Sequence, residues 1–233
     1  MRYCLPLLLV LILACAEKRE LQLPDIENAK ITNLQDVSAA YLFYDEIQPD
    51  SVLLNRKNLI STTNWLINID KRLTLEQAIP HIKFLQDKKK NSSHKNEKAK
   101  NYFTCHDLSK NDLGFLEFTE VNYHLDLYDL YERKGIPISS PKHESLINVI
   151  NPDSIRIHYP EHDNINYTDE IVSNRKNIFK DLSKTRDTTD IVIYLSFLSS
   201  LTVQDYISIQ SSIKNSNIEG IEISNHEFII DSM

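Results

Sequence analysis

TDIVIYLSFLSSLTVQDYISIQSSIKN, residues 189–215, is the stretch on which the fold turns. From Ile191 to Leu198 it is apolar except for Ser196. A run that short, bounded by polar residues, reads as a strand buried on both faces. Leu201-Thr202 follows, with Thr202 placed as a helix N-cap and Asp205 at the third helical position. Val203, Tyr206, Ile207 and Ile213 then recur on one helical face. GIEISNHEFII (220–230) returns as a strand, and SIRIHY (154–159) precedes the whole as another. Between them Ile171, Val172, Ile178, Phe179 and Leu182 fit one helical face over 169–184. The expectation is a β-α-β-α-β module over residues 150–233, its helices long enough to be crossovers between parallel strands.

The first half carries a matching piece. In WLINIDKRLTLEQAIPHI (65–82), Trp65 to Asp70 alternates as a strand, and Thr74 with Gln77 forms a capping-box pattern. Leu75, Ala78, Ile79, Ile82 and Leu85 keep helical spacing, and Pro80 is expected to kink or shorten that helix. Set against residues 193–210 without a gap, Leu73-Thr74 meets Leu201-Thr202, Leu75 meets Val203 and Ile79 meets Ile207. The reading is an α/β (or α+β) chain of two small sheet-and-helix modules, with internal duplication as one explanation of their likeness. The first module spans 36–140. Within it the polar run KKKNSSHKNEKAKN (88–101) reads as a solvated loop. Gly135, Pro137, Pro141 and Pro152 mark 135–152 as the boundary.

At the amino terminus Arg2 precedes ten apolar residues, Leu5 to Ala14, which give way at once to AEKRE. Ten is half of the roughly 20 apolar residues that a bilayer-spanning helix needs, and fits the core of an export signal. Ile12-Leu13-Ala14-Cys15 resembles the lipobox of bacterial lipoproteins. That resemblance implies cleavage after residue 14, a diacylglyceryl group on the Cys15 thiol and a further acyl chain such as palmitate on the new amino terminus. It implies a protein of the cell envelope, held to its membrane by lipid, with residues 15–35 as a tether. Two or three acyl chains hold firmly, since each buried methylene contributes about 0.8 kcal/mol. Loss of residues 1–14 leaves 219 residues and moves the formal charge from −7 to −8. That acidic balance argues against nucleic acid as a partner, because such binding rests on Lys and Arg neutralising phosphates.

The strand, Leu-Thr-capped helix and strand of residues 153–230, led by a helix and a strand, also resembles the periplasmic domain of the ExbD/TolR energy-transduction family. The resemblance implies that fold and a habit of binding envelope proteins. Members of that family carry an amino-terminal spanning helix with a proton-handling Asp, which the lipobox replaces here, so proton coupling does not carry over.

Local motifs for chemistry are few. The only glycines are Gly114, Gly135 and Gly220, too dispersed for phosphate-cradling loops or a nucleophile elbow. Cys4 leaves with the signal and Cys15 takes lipid, so Cys105 is a lone thiol and no intrachain disulfide forms. Cys105 and His106 are strand neighbours that point to opposite faces, which favours a buried structural thiol over a nucleophile. His143-Glu144 and His226-Glu227 begin the H-E-x-x-H zinc pattern, but Ile147 and Ile230 stand where its second histidine belongs. Glu161, His162 and Asp163 form a polar turn of the kind that borders ligand sites in α/β sheets. Asp45-Glu46 carries no positional information, and Asp169-Glu170 suits a helix N-terminus. Tyr123, Tyr128, Tyr131, Tyr159 and Tyr167 fit a binding surface or half-buried strand positions alike.

These readings favour an envelope lipoprotein that binds or scaffolds, with no catalytic, cofactor or metal residues assigned. A component of ExbD/TolR-type complexes and an enzyme with a dispersed site are the alternatives. Cys15→Ser is expected to release the protein from membranes or leave it unprocessed. Mass spectrometry of the native amino terminus should find acylated Cys15; an unmodified terminus at another residue would overturn the lipobox reading.

Overall fold

The computed structural model describes residues 20–94, 96–132, 135–136, 143–160, 167–184, 191–215 and 220–232. Cys15 and the turn at Glu161, His162 and Asp163 lie outside them, as do Pro137 and Pro141. The class is α/β: two mixed six-stranded sheets with four helices among the described residues.

The first sheet is built from β1 (Asp25–Ile26), β2 (Val37–Tyr44), β3 (Val52–Asn55), β4 (Asn64–Ile69), β5 (Asn101–Asp107) and β6 (Asp112–Glu117). Its order is β1-β5-β4-β2-β3, with β6 also paired to β5. Helix α1 (Leu75–Lys90) links β4 to β5, which lie parallel and adjacent. The second sheet takes β7 (Asn122–His124), β8 (His143–Asn151), β9 (Ser154–Pro160), β10 (Tyr167–Ser173), β11 (Ile191–Leu198) and β12 (Ile221–Ile230), in the order β10-β9-β8-β11-β12-β7. Helix α4 (Val203–Asn215) links the parallel neighbours β11 and β12. Two short helices, α2 (Tyr128–Tyr131) and α3 (Ile178–Lys184), complete the set.

Sequence pattern explains which sheet is covered on which face. Along β4 only Trp65, Ile67 and Ile69 are buried, so the alternation of NWLINI packs one face. Seven of the eight residues of β11 are buried. Ile193, Leu195 and Phe197 join the large core, while Val192 and Tyr194 join a second cluster with Leu130, Leu146 and Phe228 on the opposite face. A continuous apolar run is what a parallel strand covered on both sides requires.

Both crossover helices start where the sequence places them, and their starts lock together. Thr74 and Thr202 form an isolated antiparallel bridge. The Leu75 N–H donates to the Leu201 carbonyl and the Val203 N–H to the Leu73 carbonyl, both at 2.8 Å. One residue further in, Glu76 N–H donates to Ser199 O at 2.9 Å and Gln204 N–H to Lys71 O at 3.2 Å. Each bond maps onto its counterpart under the register that aligns the two sequence pieces. Strand order corresponds too, since β3-β2-β4-β5 runs as β9-β8-β11-β12 does, with the same parallel and antiparallel neighbours.

Several elements differ from the sequence reading. Residues 167–173 are strand β10, antiparallel to β9, and the helix expected over 169–184 shrinks to α3. Ile171 and Val172 point to opposite sides of a strand, and Val172 stays 67% exposed at the sheet edge. Helix α1 runs through Pro80 without a break. Pro80 is exposed, so water can reach the Glu76 carbonyl that loses its usual donor. The Lys-rich run is helix as far as Lys90, and Lys89 is buried. Its ammonium donates to Lys100 O and Asn101 Oδ1, each at 2.9 Å, and lies over the Trp65 ring. Burial lowers its pKa to about 8. Residues 143–149 precede the expected start of the second module, and β7 enters the second sheet from the earlier side of the proline-rich segment.

The expected tether is likewise structured from Gln22 onward. Gln22 and Pro24 carbonyls accept from Lys71 N and His106 N, both at 2.8 Å, and Ile26 and Ala29 are buried. The Asp107 carboxylate accepts from the Ala29 N–H at 2.9 Å, which turns the chain across β6. Gly114 on β6 is the point of closest passage. A Cβ there would lie 2.5 Å from Ala29 Cβ and 2.9 Å from Ile26 Cδ1. Gly114→Ala is therefore expected to cost about 1–3 kcal/mol by overpacking. A lowered urea midpoint, with faster hydrogen exchange at the Ala29 amide, checks this; an unchanged midpoint would mean that the segment is not fixed there.

Candidate functional site

Between β6 with its following turn, α4 and β12 lies a cavity of about 470 Å³. Its apolar lining comes from four separate parts of the chain: Ile26 and Ile31, Phe115 and Val121, Ile213 on α4, and Ile223 on β12. The opening exists because β7 pairs with only residues 226–228 of β12. The register of β12 against β11 also slips between Ile193 and Leu195, so Ile223 and Glu227 oppose residues only two apart.

Glu227 forms the polar part of the wall and is 3% exposed. Tyr206 Oη donates to Glu227 Oε2 and Gln210 Nε2 donates to Oε1, both at 2.7 Å. Because the Tyr206 proton goes to the carboxylate, Tyr123 Oη, 3.0 Å away, donates in turn to Tyr206. Desolvation pushes Glu227 up to about 7, against the lowering effect of Tyr206, Lys214 and Gln210. Burial likewise raises Tyr206 and Tyr123 well above their ordinary value. The phenols remain donors at any physiological pH. Two lysines reach the same cavity. Lys30 Nζ donates to the Lys214 carbonyl at 2.5 Å, and Lys214 Nζ donates to the Glu117 carbonyl.

His226, next in sequence to Glu227, serves a different place. His124 Nε2 and His226 Nδ1 are 2.9 Å apart, and His124 Nδ1 lies 3.2 Å from Asp129 Oδ2. The carboxylate takes the Nδ1 proton of His124, so in the neutral pair His226 Nδ1–H donates to His124 Nε2. The two rings stand with centroids 5.1 Å apart, nitrogen facing nitrogen. Two nitrogens on one tetrahedral metal ion, at roughly 2.0–2.1 Å per bond, would stand about 3.3 Å apart. This is a hydrogen-bonded relay. It borders a second, polar cavity of about 860 Å³ that also reaches Lys83, Asp87 and Glu120. Among the described residues no group of three or more His, Cys, Asp or Glu is arranged to hold a metal ion.

The residues singled out from sequence are distributed as follows. Cys105 is fully buried, its thiol pushed up by burial, and His106 turns away to pair with Asp25 at 3.2 Å. Glu144 accepts from Tyr194 Oη at 3.4 Å. The histidine missing from the His226-Glu227 motif comes from another strand, as His124, but Glu227 points away from it. Tyr123 belongs to the buried network, whereas Tyr128 and Tyr131 are exposed. Sequence reasoning passed over Glu227 as a wall group, along with Tyr206 and Gln210. One signal was available: Tyr206 and Gln210 stand four apart on a helix, and Glu227 interrupts the apolar end of a strand.

Comparison with family models, curated proteins and solved structures finds no match. No described helix is long and apolar enough to cross a membrane.

Glu227 binds its proton more tightly in the folded chain, with a pKa of about 7 against 4.5 for an ordinary glutamate. The folded state therefore holds more protons between those values, and its stability falls as pH rises through that window. Above it the ionised, buried carboxylate costs roughly 3 kcal/mol at most. Glu227→Gln should flatten the stability-pH profile between pH 4.5 and 7, as read by urea unfolding at several pH values. A variant profile parallel to that of the parent chain would show that Glu227 ionises normally.

Proposed function

We propose that this chain is a lipid-anchored protein of the bacterial envelope that acts by binding, with the cavity between β6, α4 and β12 as its ligand site. The observation that carries the binding reading is the cavity's division of labour. Its walls are apolar, and its one buried carboxyl has both oxygens engaged by Tyr206 and Gln210. A carboxyl so engaged fixes the shape and polarity of a wall. The Asp129-His124-His226 relay, the other titratable cluster, borders the separate polar cavity. Pockets that hold small molecules are typically about 300–1,000 Å³, apolar, with a few placed polar groups.

A protein partner at the envelope fits the same reading. Val172 on β10, Leu53 on β3 and Leu113 on β6 leave apolar side chains exposed on outer strands. Kinship with ExbD/TolR-type components rests on the pattern of residues 153–230, of which α4 between parallel β11 and β12 is the part that supports it. For the two halves we propose a duplicated ancestral unit, supported by the reciprocal bonds at Thr74 and Thr202 and the shared strand order.

The chain from residue 16 onward contains every described residue and avoids detergent. Nile red, a neutral apolar fluorophore, should bind it at one site per chain, and Ile223→Trp should remove that binding while leaving thermal unfolding cooperative. Binding that ignores Ile223→Trp, or no binding, overturns the cavity as the ligand site.

A further inference from the structure

We propose that the cavity takes an anionic single-chain amphiphile, its alkyl chain along the apolar trough and its head group on Lys30 and Lys214. This rests on the cavity being the ligand site and goes beyond it by naming the ligand. The trough has consecutive residues 115–121 along one side and 223–225 of β12 along the other, closed beneath by one turn of α4. Along it Ile26, Ile31, Phe115, Val121, Ile213 and Ile223 offer an alkyl chain apolar contact from several elements.

The charges around it decide the head group. Lys30 and Lys214 both line the cavity, and in the described structure their ammonium groups donate only to main-chain carbonyls, those of Lys214 and Glu117. An ammonium has three N–H donors, so each keeps capacity for a further acceptor. The three carboxylates that also line the cavity hold their hydrogen bonds elsewhere or lie outward, while Glu227 and Glu117 act on Lys214 through space alone. Glu117 pairs with Lys100 at 2.9 Å. Glu227 is held by Tyr206 and Gln210. Glu120 is exposed and lies in the field of Lys100. A carboxylate or phosphate head placed between the two lysines gains charge-assisted hydrogen bonds, while the chain gains the hydrophobic contribution of burial. A cationic head at the same point would meet two like charges.

The test uses three probes of equal chain length on the chain from residue 16 onward: dodecanoate, dodecanol and dodecyltrimethylammonium, each competing with Nile red. Dodecanoate should displace the dye at least about tenfold more effectively than dodecanol, and the cationic probe should be the weakest. Lys30→Gln with Lys214→Gln should bring dodecanoate down to the level of dodecanol, both read against the double variant's own Nile red affinity. Equal displacement by dodecanoate and dodecanol overturns the proposal, as does undiminished dodecanoate binding by the double variant. In those cases Nile red still binds and the cavity survives as a ligand site. Failure of Nile red itself is the distinct result that removes the underlying reading.

Discussion

Everything in this chain is hung from the place where two helices begin. A helix N-terminus presents four N–H groups with no partner inside the helix. For α1 these belong to Thr74, Leu75, Glu76 and Gln77, and for α4 to Thr202, Val203, Gln204 and Asp205. Each cap residue's own N–H goes to the third helical side chain, Gln77 Oε1 at 2.9 Å or Asp205 Oδ2 at 3.3 Å. Each third N–H goes back to the cap hydroxyl. The two in between are satisfied only by the opposite segment, through carbonyls of residues 71, 73, 199 and 201. Neither helix start is complete alone. Asp70, fully buried, fixes the approach to this junction by accepting from Arg72 Nε at 2.9 Å and Nη2 at 2.8 Å.

That mutual dependence explains why the buried residues of both halves form one large core. It also explains how much was legible beforehand. Strand β11, helix α4, strand β4 and helix α1 follow from local signals: apolar runs, a cap and a regular period. Failures occur where tertiary partners override those signals. Ile171 and Val172 look helical beside Ile178 and Leu182, yet β9 offers an edge on which residues 167–173 pair. Lys89 reads as solvated, but Trp65 and two carbonyl-type acceptors give its stem and charge somewhere to go. Residues 22–31 carry no periodicity because a segment that passes over two strands of the first sheet is held bond by bond, to Lys71, His106, Asp107 and Phe115. The cavity was invisible for a related reason. Its walls come from residues near 30, 117, 213 and 223, which no window of sequence unites.

Adjacent residues 226 and 227 show how a strand divides labour. The bulge in β12 changes register, and pleating sends the two side chains to opposite faces. One carries an imidazole to a polar cavity shared with Asp129. The other carries a carboxyl into an apolar wall, where the Tyr206 phenol and the Gln210 amide hold it. Two environments a single peptide bond apart thus set different protonation behaviour. A local histidine-glutamate pair that suggests one metal-binding function resolves into two unrelated roles.

The docking of the amino-terminal segment has a geometric consequence for a chain acylated at Cys15. Among the described residues, main-chain bonding to the fold starts at Gln22, whose carbonyl meets Lys71. Only seven residue steps separate the two positions, at most about 25 Å of extended backbone. The folded body would then ride on a short leash, close enough to the bilayer for one of its ends to face lipid persistently. That end is the one bearing Asp70, Lys71 and the paired helix starts. Sheet edges farther along the body would be left for encounters in the space beyond.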